Sequence, residues 1–483
     1  MRFRLACMLV ALLWAVGGSA LAGAPLPPKK VDVLIVGAGL SGLATAYELK
    51  KLGISYHILE LTPRIGGRVR TVHYVRNGEM LYADSGMEEY WESNPAVKIL
   101  QELKLPLSTD VAASSMVLQG KIENFTDDTP TQYLERILTP AGLKKLQDFS
   151  SASVRPILAK IHPDGTVDGE TLRLKDISFK DWVLKEGVPD RIAEWVRVSI
   201  ECEAGTAWDQ ISALDGIAEF ATFIPPGEKS VRVVGGNDRF TAALARVVGL
   251  QRISTNVRVN RITTADTATT GRVEVSYLDQ ATLVNGKVFA KHVVSTIPLF
   301  RLFEVQFVPS LSEAKQQAIA TQNWGAYFKA HVFVSANAKK FWTKDGQSIL
   351  PLVSDSDIGV VYDGNFDQKT KSKILSLLIT GAVAEAYNLM PLDQVRSRIV
   401  AGLDKLWPGL GAEIQDIEFY RFHPKAIAAW PPGRSRFDAL SEAIRKPENH
   451  MYLAGDFTES SHSDGAFISA ARVAKQIRQA EKR

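Results

Sequence analysis

Residues 31–60 read VDVLIVGAGLSGLATAYELKKLGISYHILE. The opening VDVLIV has the continuous β-branched character of a strand buried on both faces, as in a parallel sheet. LATAYELKKLG (43–53) has helical spacing, with Gly53 as its stop signal. Between strand and helix stand Gly37, Gly39 and Gly42, with Leu40 and Ser41 opening the helix. This G-x-G-x-x-G arrangement allows a tight turn and lets a pyrophosphate approach the positive end of the helix. A second strand, SYHILE, ends about 20 residues on at Glu60, where a carboxylate binds ribose hydroxyls. Reading Glu60 as a solvated strand end would leave the complete strand, glycine loop, helix and strand unit unexplained. A dinucleotide site follows; nicotinamide and flavin both fit it.

The frame around this unit is ordinary. The chain has 483 residues, 46% hydrophobic and 23% charged, enough for two globular domains. The N-terminus, MRFRLACMLVALLWAVGGSALAGA, has the layout of a secretory signal: two arginines, an apolar run, and an A-x-A site at Ala20–Ala22. We expect a signal peptide over 1–22, a mature chain starting near Gly23, and a periplasmic or secreted protein that acquires its cofactor after export. An uncleaved anchor is the alternative, and no later segment approaches a membrane span. Without Cys7, Cys202 is the sole cysteine, which excludes a disulfide framework or a cysteine metal site within one chain. The formal net charge of +4 falls further without Arg2 and Arg4 and does not argue for a nucleic-acid partner.

The residues after Glu60, LTPRIGGRVRT, separate the two cofactors. Gly66 and Gly67 permit a backbone turn beside the phosphates, and Arg68 is placed to neutralise them. The E-x5-GGR pattern behind this glycine motif resembles the flavin-containing amine oxidase superfamily, which includes monoamine, polyamine and L-amino-acid oxidases. ADSGMEEYW (83–91), with Met87, is similar to that family's segment beside the flavin. VVGGNDRFTAAL (233–244) is similar to its glycine-pair segment, and ISTNVRVNRI (253–262) to the strand whose valine, here Val257, meets the adenine side through its backbone. VVSTIPL (293–299) and MYLAGDFTESSHSDGAFISAARVA (451–474), with Gly455, Asp456 and Ala466, complete the family order. The resemblance spans nearly all of the mature chain and implies FAD, bound noncovalently because Cys202 lies far in sequence from the motifs.

The implied fold is α/β: a Rossmann-type FAD-binding domain assembled from 30–100, 228–305 and 430–483, with a discontinuous α+β substrate-binding domain from 101–227 and 306–429. Within the insertions, LSEAKQQAIATQ (311–322) and LDQVRSRIVAGLDKLW (392–407) have helical spacing, and AYFKAHVFV (326–334) alternates like a strand. Residues 127–201 read as a helix-rich segment polar enough to cover the site.

A flavin accepts a hydride at N5, so the protein must hold a substrate C–H over the ring and exclude water. Lys329, on the face of AYFKAHVFV that also carries Tyr327, His331 and Phe333, matches the lysine that the amine oxidases place near N5 through a water. Its implied role is in reoxidation; the competing reading is a lysine on a wet strand face. Trp430, before Pro431 in AAWPPGRS, is read as an aromatic wall of the slot where the amine nitrogen approaches, against the reading of a core residue. Asp456 replaces the glutamate common in the family, and the segment after it is shorter, so Ser461, His462 or Ser463 faces the place of a second aromatic wall. His462 is either a base or an ordinary loop histidine. Glu88, Glu89, Glu201 and Glu203 are candidates for a remote ammonium, and Arg434 and Arg436 for a carboxylate.

The leading expectation is an exported FAD-dependent oxidoreductase of amine oxidase type, with a small-molecule amine as substrate, oxygen or another redox acceptor, and no metal. The imine it forms would hydrolyse to an aldehyde or ketone plus ammonia or a smaller amine. The alternatives are a flavin desaturase or dehydrogenase passing electrons to a quinone or cytochrome, and a flavin-binding interaction protein without turnover. Self-association into a homodimer is left open.

Overall fold

A computed structural model describes residues 26–111, 115–118, 120–124, 138–162, 165–221, 229–265, 270–421 and 423–482. The expected signal peptide, Cys7 and residues 127–137, 163 and 164 of the expected covering segment lie outside these.

The quoted stretch forms β1 (Lys30–Val36), α1 (Leu40–Lys51) and β2 (Tyr56–Leu59). Val33, Leu34, Ile35 and Val36 are all buried, the odd-numbered pair against α1 and the even-numbered pair in a second core on the other face. Alternation puts successive side chains on opposite faces, so a strand covered on both sides has no polar position, and this run has none after Asp32. Each such valine or leucine stabilises the fold by about 1.5–3 kcal/mol on burial. The helix ends at Leu52, and Gly53 turns the chain back with φ of +70°.

β1 lies between β2 and the long strand β3 (Val284–Ser295), parallel to both. Val36 sits level with Leu59 on one side and Ser295 on the other, so Gly37, Glu60 and Thr296 emerge together at the carboxyl ends of the three strands. Ile253–Ser254 extends the parallel part beyond β2, and Met451–Leu453 pairs parallel with the end of β3. Antiparallel strands 273–279 and 257–263 continue the sheet from the first half of β3, and 306–308 closes it. Three separated stretches of chain therefore build one eight-stranded sheet.

A second, seven-stranded sheet contains β4 (Tyr327–Val334), one strand in from its edge and antiparallel to both neighbours, 373–380 and 414–420. Phe328, Ala330 and Val332 pack into an apolar core with the helix spanning 392–406, while Tyr327 and Lys329 face the opposite side. The other expected helix runs from Glu313 to Ala320. In the helical segment, α2 (Asp190–Ala204) and α3 (Ala213–Phe220) share a core with Phe179 and Trp182. Among the described residues no helix is long and apolar enough to cross a membrane, and no group of three or more His, Cys, Asp or Glu side chains could hold a metal ion.

Candidate cofactor and active site

The site begins where β1 stops. Gly37 N–H donates to Leu59 O at 2.8 Å, with φ of +109° that favours glycine. A Cβ on Gly37 would stand 2.3 Å from Thr296 Oγ1, and one on Gly42 would stand 1.9 Å from Gly37 O. Those two glycines are bare because sheet, loop and helix touch. Gly39 is bare for another reason: its Cβ would meet only Gly67 Cα, at an ordinary 3.8 Å. It caps α1 without a side chain, leaving the helix's first N–H groups aimed outward. Glu60 Oε2 accepts from Ala38 N–H at 2.7 Å and Oε1 from Thr62 N–H at 2.9 Å, and Val257 N–H donates to Glu60 O at 2.8 Å. A helix N-terminus, a turn open where the protein itself leaves room for a side chain, and a fixed carboxylate fit a dinucleotide.

A cavity of about 1270 Å³ runs from this cradle to β4 and α2. Gly37, Gly39, Leu40, Ser41 and Glu60 line one end, with Gly66, Gly67 and Val257 beside them. Arg68, Met87, Gly455, Asp456 and Ala466 line its middle, and Lys329 its inner wall. Of the predicted cofactor residues only Gly42 lies off the cavity, where it lets α1 pack on the loop.

Arg68 lines the cavity at the GGR turn with 43% of its side chain open. Its guanidinium forms a bidentate pair with Asp456, at 2.6 and 2.7 Å, and also donates to Ala426 O. Its charge is thus partnered within the protein, and it joins the GGR turn to the C-terminal segment.

Lys329 is 1% exposed. Its ammonium pairs with Glu88, lies 3.3 Å from Ser376 Oγ and sits 5.7 Å from the Tyr362 ring centroid. The wet-face reading is excluded, and Glu88, a candidate for substrate ammonium, is this lysine's partner. Burial alone would raise the Glu88 carboxyl; Lys329 and Arg232 outweigh it and hold it below the ordinary range. Asn237 fixes the segment, donating to Met87 O at 3.2 Å and Glu88 O at 2.8 Å, while its N–H donates to Asp84 Oδ1 at 3.2 Å. Sequence reasoning missed Asn237, although it follows the glycine pair directly. It also missed His423, which lines the cavity with Nε2 3.3 Å from Ser85 O. Burial, helped by Arg68 and Lys329, pushes His423 down to about 4, so it is neutral.

Trp430 is not a cavity wall. It is 1% exposed and packs among Leu299, Leu302, Ala318 and Leu453, with its indole N–H on Ser441 Oγ at 3.2 Å. The tryptophan, tyrosine and phenylalanine side chains that line the cavity are Trp91, Trp195, Phe300, Tyr327, Tyr362 and Phe366. Arg434 is buried on Asp438 (2.7 Å), and Arg436 on Asp215 (2.9 Å) and Glu219, so neither meets a substrate carboxylate. Glu201 pairs with Arg197 at 2.8 Å, off the cavity.

Ser461, His462 and Ser463 do line the cavity, but His462 is neither a free base nor an ordinary loop residue. It lies between Glu219 (2.7 Å) and Glu203 (3.4 Å), just before α4 (Ser463–Ala480). Burial disfavours its charge, but Glu219 and Glu203 raise it to about 10. Glu89 and Glu203 line the cavity too, and burial raises both carboxyls, Glu89 to about 7. Cys202, remote in sequence, is also in the wall; burial pushes its thiol well up, which makes it a poor nucleophile.

A family model for flavin containing amine oxidoreductases matches residues 40–478. The chain is 22% identical to a probable flavin-containing monoamine oxidase A of Dictyostelium discoideum, over 92% of this chain and 97% of the relative. It is 22% identical to polyamine oxidase 2 of Arabidopsis thaliana, over 95% and 90%. A solved structure of a putrescine oxidase redesigned in its cofactor binding superposes with a TM-score of 0.76 at 20% identity, covering 94% of this chain and all of that one.

Proposed function

The chain belongs to the flavin-containing amine oxidoreductase family and is an FAD-dependent oxidoreductase, and from that premise we propose that it oxidises a cationic small-molecule amine with a partly apolar body. The carrying observation is the cavity itself: one continuous space joins the glycine cradle to Lys329 and to carboxylates that no arginine fully neutralises. FAD, when bound, supplies the acceptor for a hydride from the carbon next to nitrogen. The α1 N-terminus, Glu60 and the Gly66–Gly67 turn would hold its pyrophosphate and ribose, and attachment is noncovalent in this reading. Tyr327, Tyr362 and Trp195 enclose the substrate body and exclude water; Glu89 and Glu203 attract its cationic end.

The imine product leaves for hydrolysis to an aldehyde or ketone and ammonia or a smaller amine. Lys329, kept in place by Glu88, serves reoxidation by oxygen. The eight-stranded sheet and its helices form the FAD domain in this reading, and the seven-stranded sheet with α2 and α3 the substrate domain. The leader-like first 22 residues support export to the periplasm or medium. Burial of Arg434 and Arg436 on their own carboxylates turns the reading away from amino acids and towards amines without a carboxylate. The test is oxygen consumption with a panel of monoamines, diamines and amino acids, with ammonia and aldehyde assayed. Turnover of amines and none of amino acids supports the reading; turnover confined to amino acids or to uncharged substrates overturns it.

A further inference from the structure

The cavity's carboxylates differ in how they are satisfied. Asp456 holds Arg68 in a bidentate pair, Glu88 holds Lys329, Glu304 holds Arg301 at 2.8 Å, and Glu60 accepts backbone N–H groups. Glu89 has Arg232 at 3.8 Å, whereas Glu203 has no lysine or arginine within 4 Å among the described residues, its one charged neighbour there being His462, at 3.4 Å. The residue stands one position before the end of α2, with a quarter of its side chain open and lining the cavity. Its backbone is pinned, since Tyr327 Oη donates to Glu203 O at 2.5 Å. His462 in turn is anchored behind it by Glu219, which also takes Arg436 and accepts from Ser461 Oγ at 2.9 Å.

An alkylamine reaches the cavity as an ammonium, since such groups titrate near pH ~10. Loss of hydride from carbon needs the lone pair on nitrogen, so a proton must leave first. Lys329 is already engaged by Glu88. We propose that Glu203 is the catalytic base of this enzyme, resting on the amine-oxidase reading above, and that His462 is the positioning residue that holds its carboxylate towards the substrate. The substrate N–H bond breaks, the proton moves to a Glu203 carboxylate oxygen, and the electron pair stays on nitrogen. A neutral amine and a neutral carboxylic acid remain, with no redox change in the step.

The surroundings suit that role. Facing Glu203 are His462 from the start of α4, Glu219 of α3, Tyr327 of β4, and Glu89 and Tyr362 across the cavity. Burial raises the carboxyl, His462 lowers it, and Glu219 raises it again, with a net upward shift. A carboxylate whose affinity for protons is raised is the better acceptor, provided it is still ionised when substrate arrives.

The experiment follows flavin reduction by a primary alkylamine, without oxygen, from pH 6 to pH 10, in the FAD-loaded parent and in Glu203→Gln, Glu203→Asp and His462→Gln. At pH 7 Glu203→Gln should be slower on the order of 100-fold, the size of a lost general base. The deficit should close towards pH ~10, where solution removes the proton instead. Glu203→Asp should recover part of the rate. His462→Gln should keep its FAD and move the acid limb of the profile to higher pH, because removing the cation makes the carboxylate easier to protonate. A deficit in Glu203→Gln that is equal at every pH, or no deficit, overturns the assignment while the amine reading stands. Should Glu203→Gln fail to retain FAD, the His462→Gln limb decides, and an unshifted limb overturns the assignment. A parent that no amine reduces removes both readings.

Discussion

The two ends of the cavity are built by different means. The cradle end is made of backbone: bare glycines, a helix terminus and a carboxylate held by N–H groups. The inner end is made of side chains from distant segments, with Lys329 of β4 against Glu88, Glu203 of α2 against His462, and Tyr362 from another strand. Backbone demands are written locally, in which residues are glycine and where they fall. Side-chain pairing is written only in the fold.

The largest effect that could break this contrast lies among the glycines themselves. Gly42→Ala drives a Cβ to 1.9 Å from Gly37 O, a backbone atom that no rotamer change can relieve, and should cost on the order of 3 kcal/mol or more, seen as loss of soluble, folded protein. Gly39→Ala meets only a 3.8 Å neighbour and should leave the apoprotein's melting temperature nearly unchanged while weakening FAD binding, measured by flavin retention. Equal damage in both would mean that Gly39 serves packing too.

At the inner end, Glu88→Gln leaves the Lys329 ammonium buried without its carboxylate and should destabilise by about 3–5 kcal/mol. Lys329→Met combined with Glu88→Gln should restore much of that loss in denaturant titrations. Lys329→Met alone should slow reoxidation by oxygen far more than reduction by substrate; equal slowing would reduce the lysine to a structural part.

Trp430 gives the smallest effect on chemistry. Trp430→Phe shrinks a packed core residue and removes the bond to Ser441, which should cost about 1–3 kcal/mol while the flavin-reduction rate stays within about twofold of the parent's. A large fall in that rate with stability intact would return the tryptophan to the substrate wall.

The cradle was legible because strand, turn and helix each leave a local mark, and Gly37, Gly39, Glu60 and Gly67 sit where those marks put them. Lys329 was singled out by its match to a lysine of the amine oxidases, but its partner was not, because nothing near residue 88 signals residue 329. Trp430 was misread for the same reason: its neighbours Leu302 and Ala318 lie more than a hundred positions away. Arg434 carried a usable signal, since Asp438 four residues on is the spacing of an adjacent ion pair. His462 carried none, because Glu203 and Glu219 approach it from two other helices.

The central claim is that the space joining the cradle to Lys329 and Glu203 accepts a cationic amine and passes its hydride to the flavin. Mixing the FAD-loaded protein with a primary amine in the absence of oxygen, and again with the same amine deuterated at the carbon next to nitrogen, tests it most directly. The account predicts that the flavin absorbance bleaches in a single turnover and that deuterium slows the bleaching several-fold. A flavin that stays oxidised with every amine, yet bleaches with an uncharged alcohol or alkene, would contradict it.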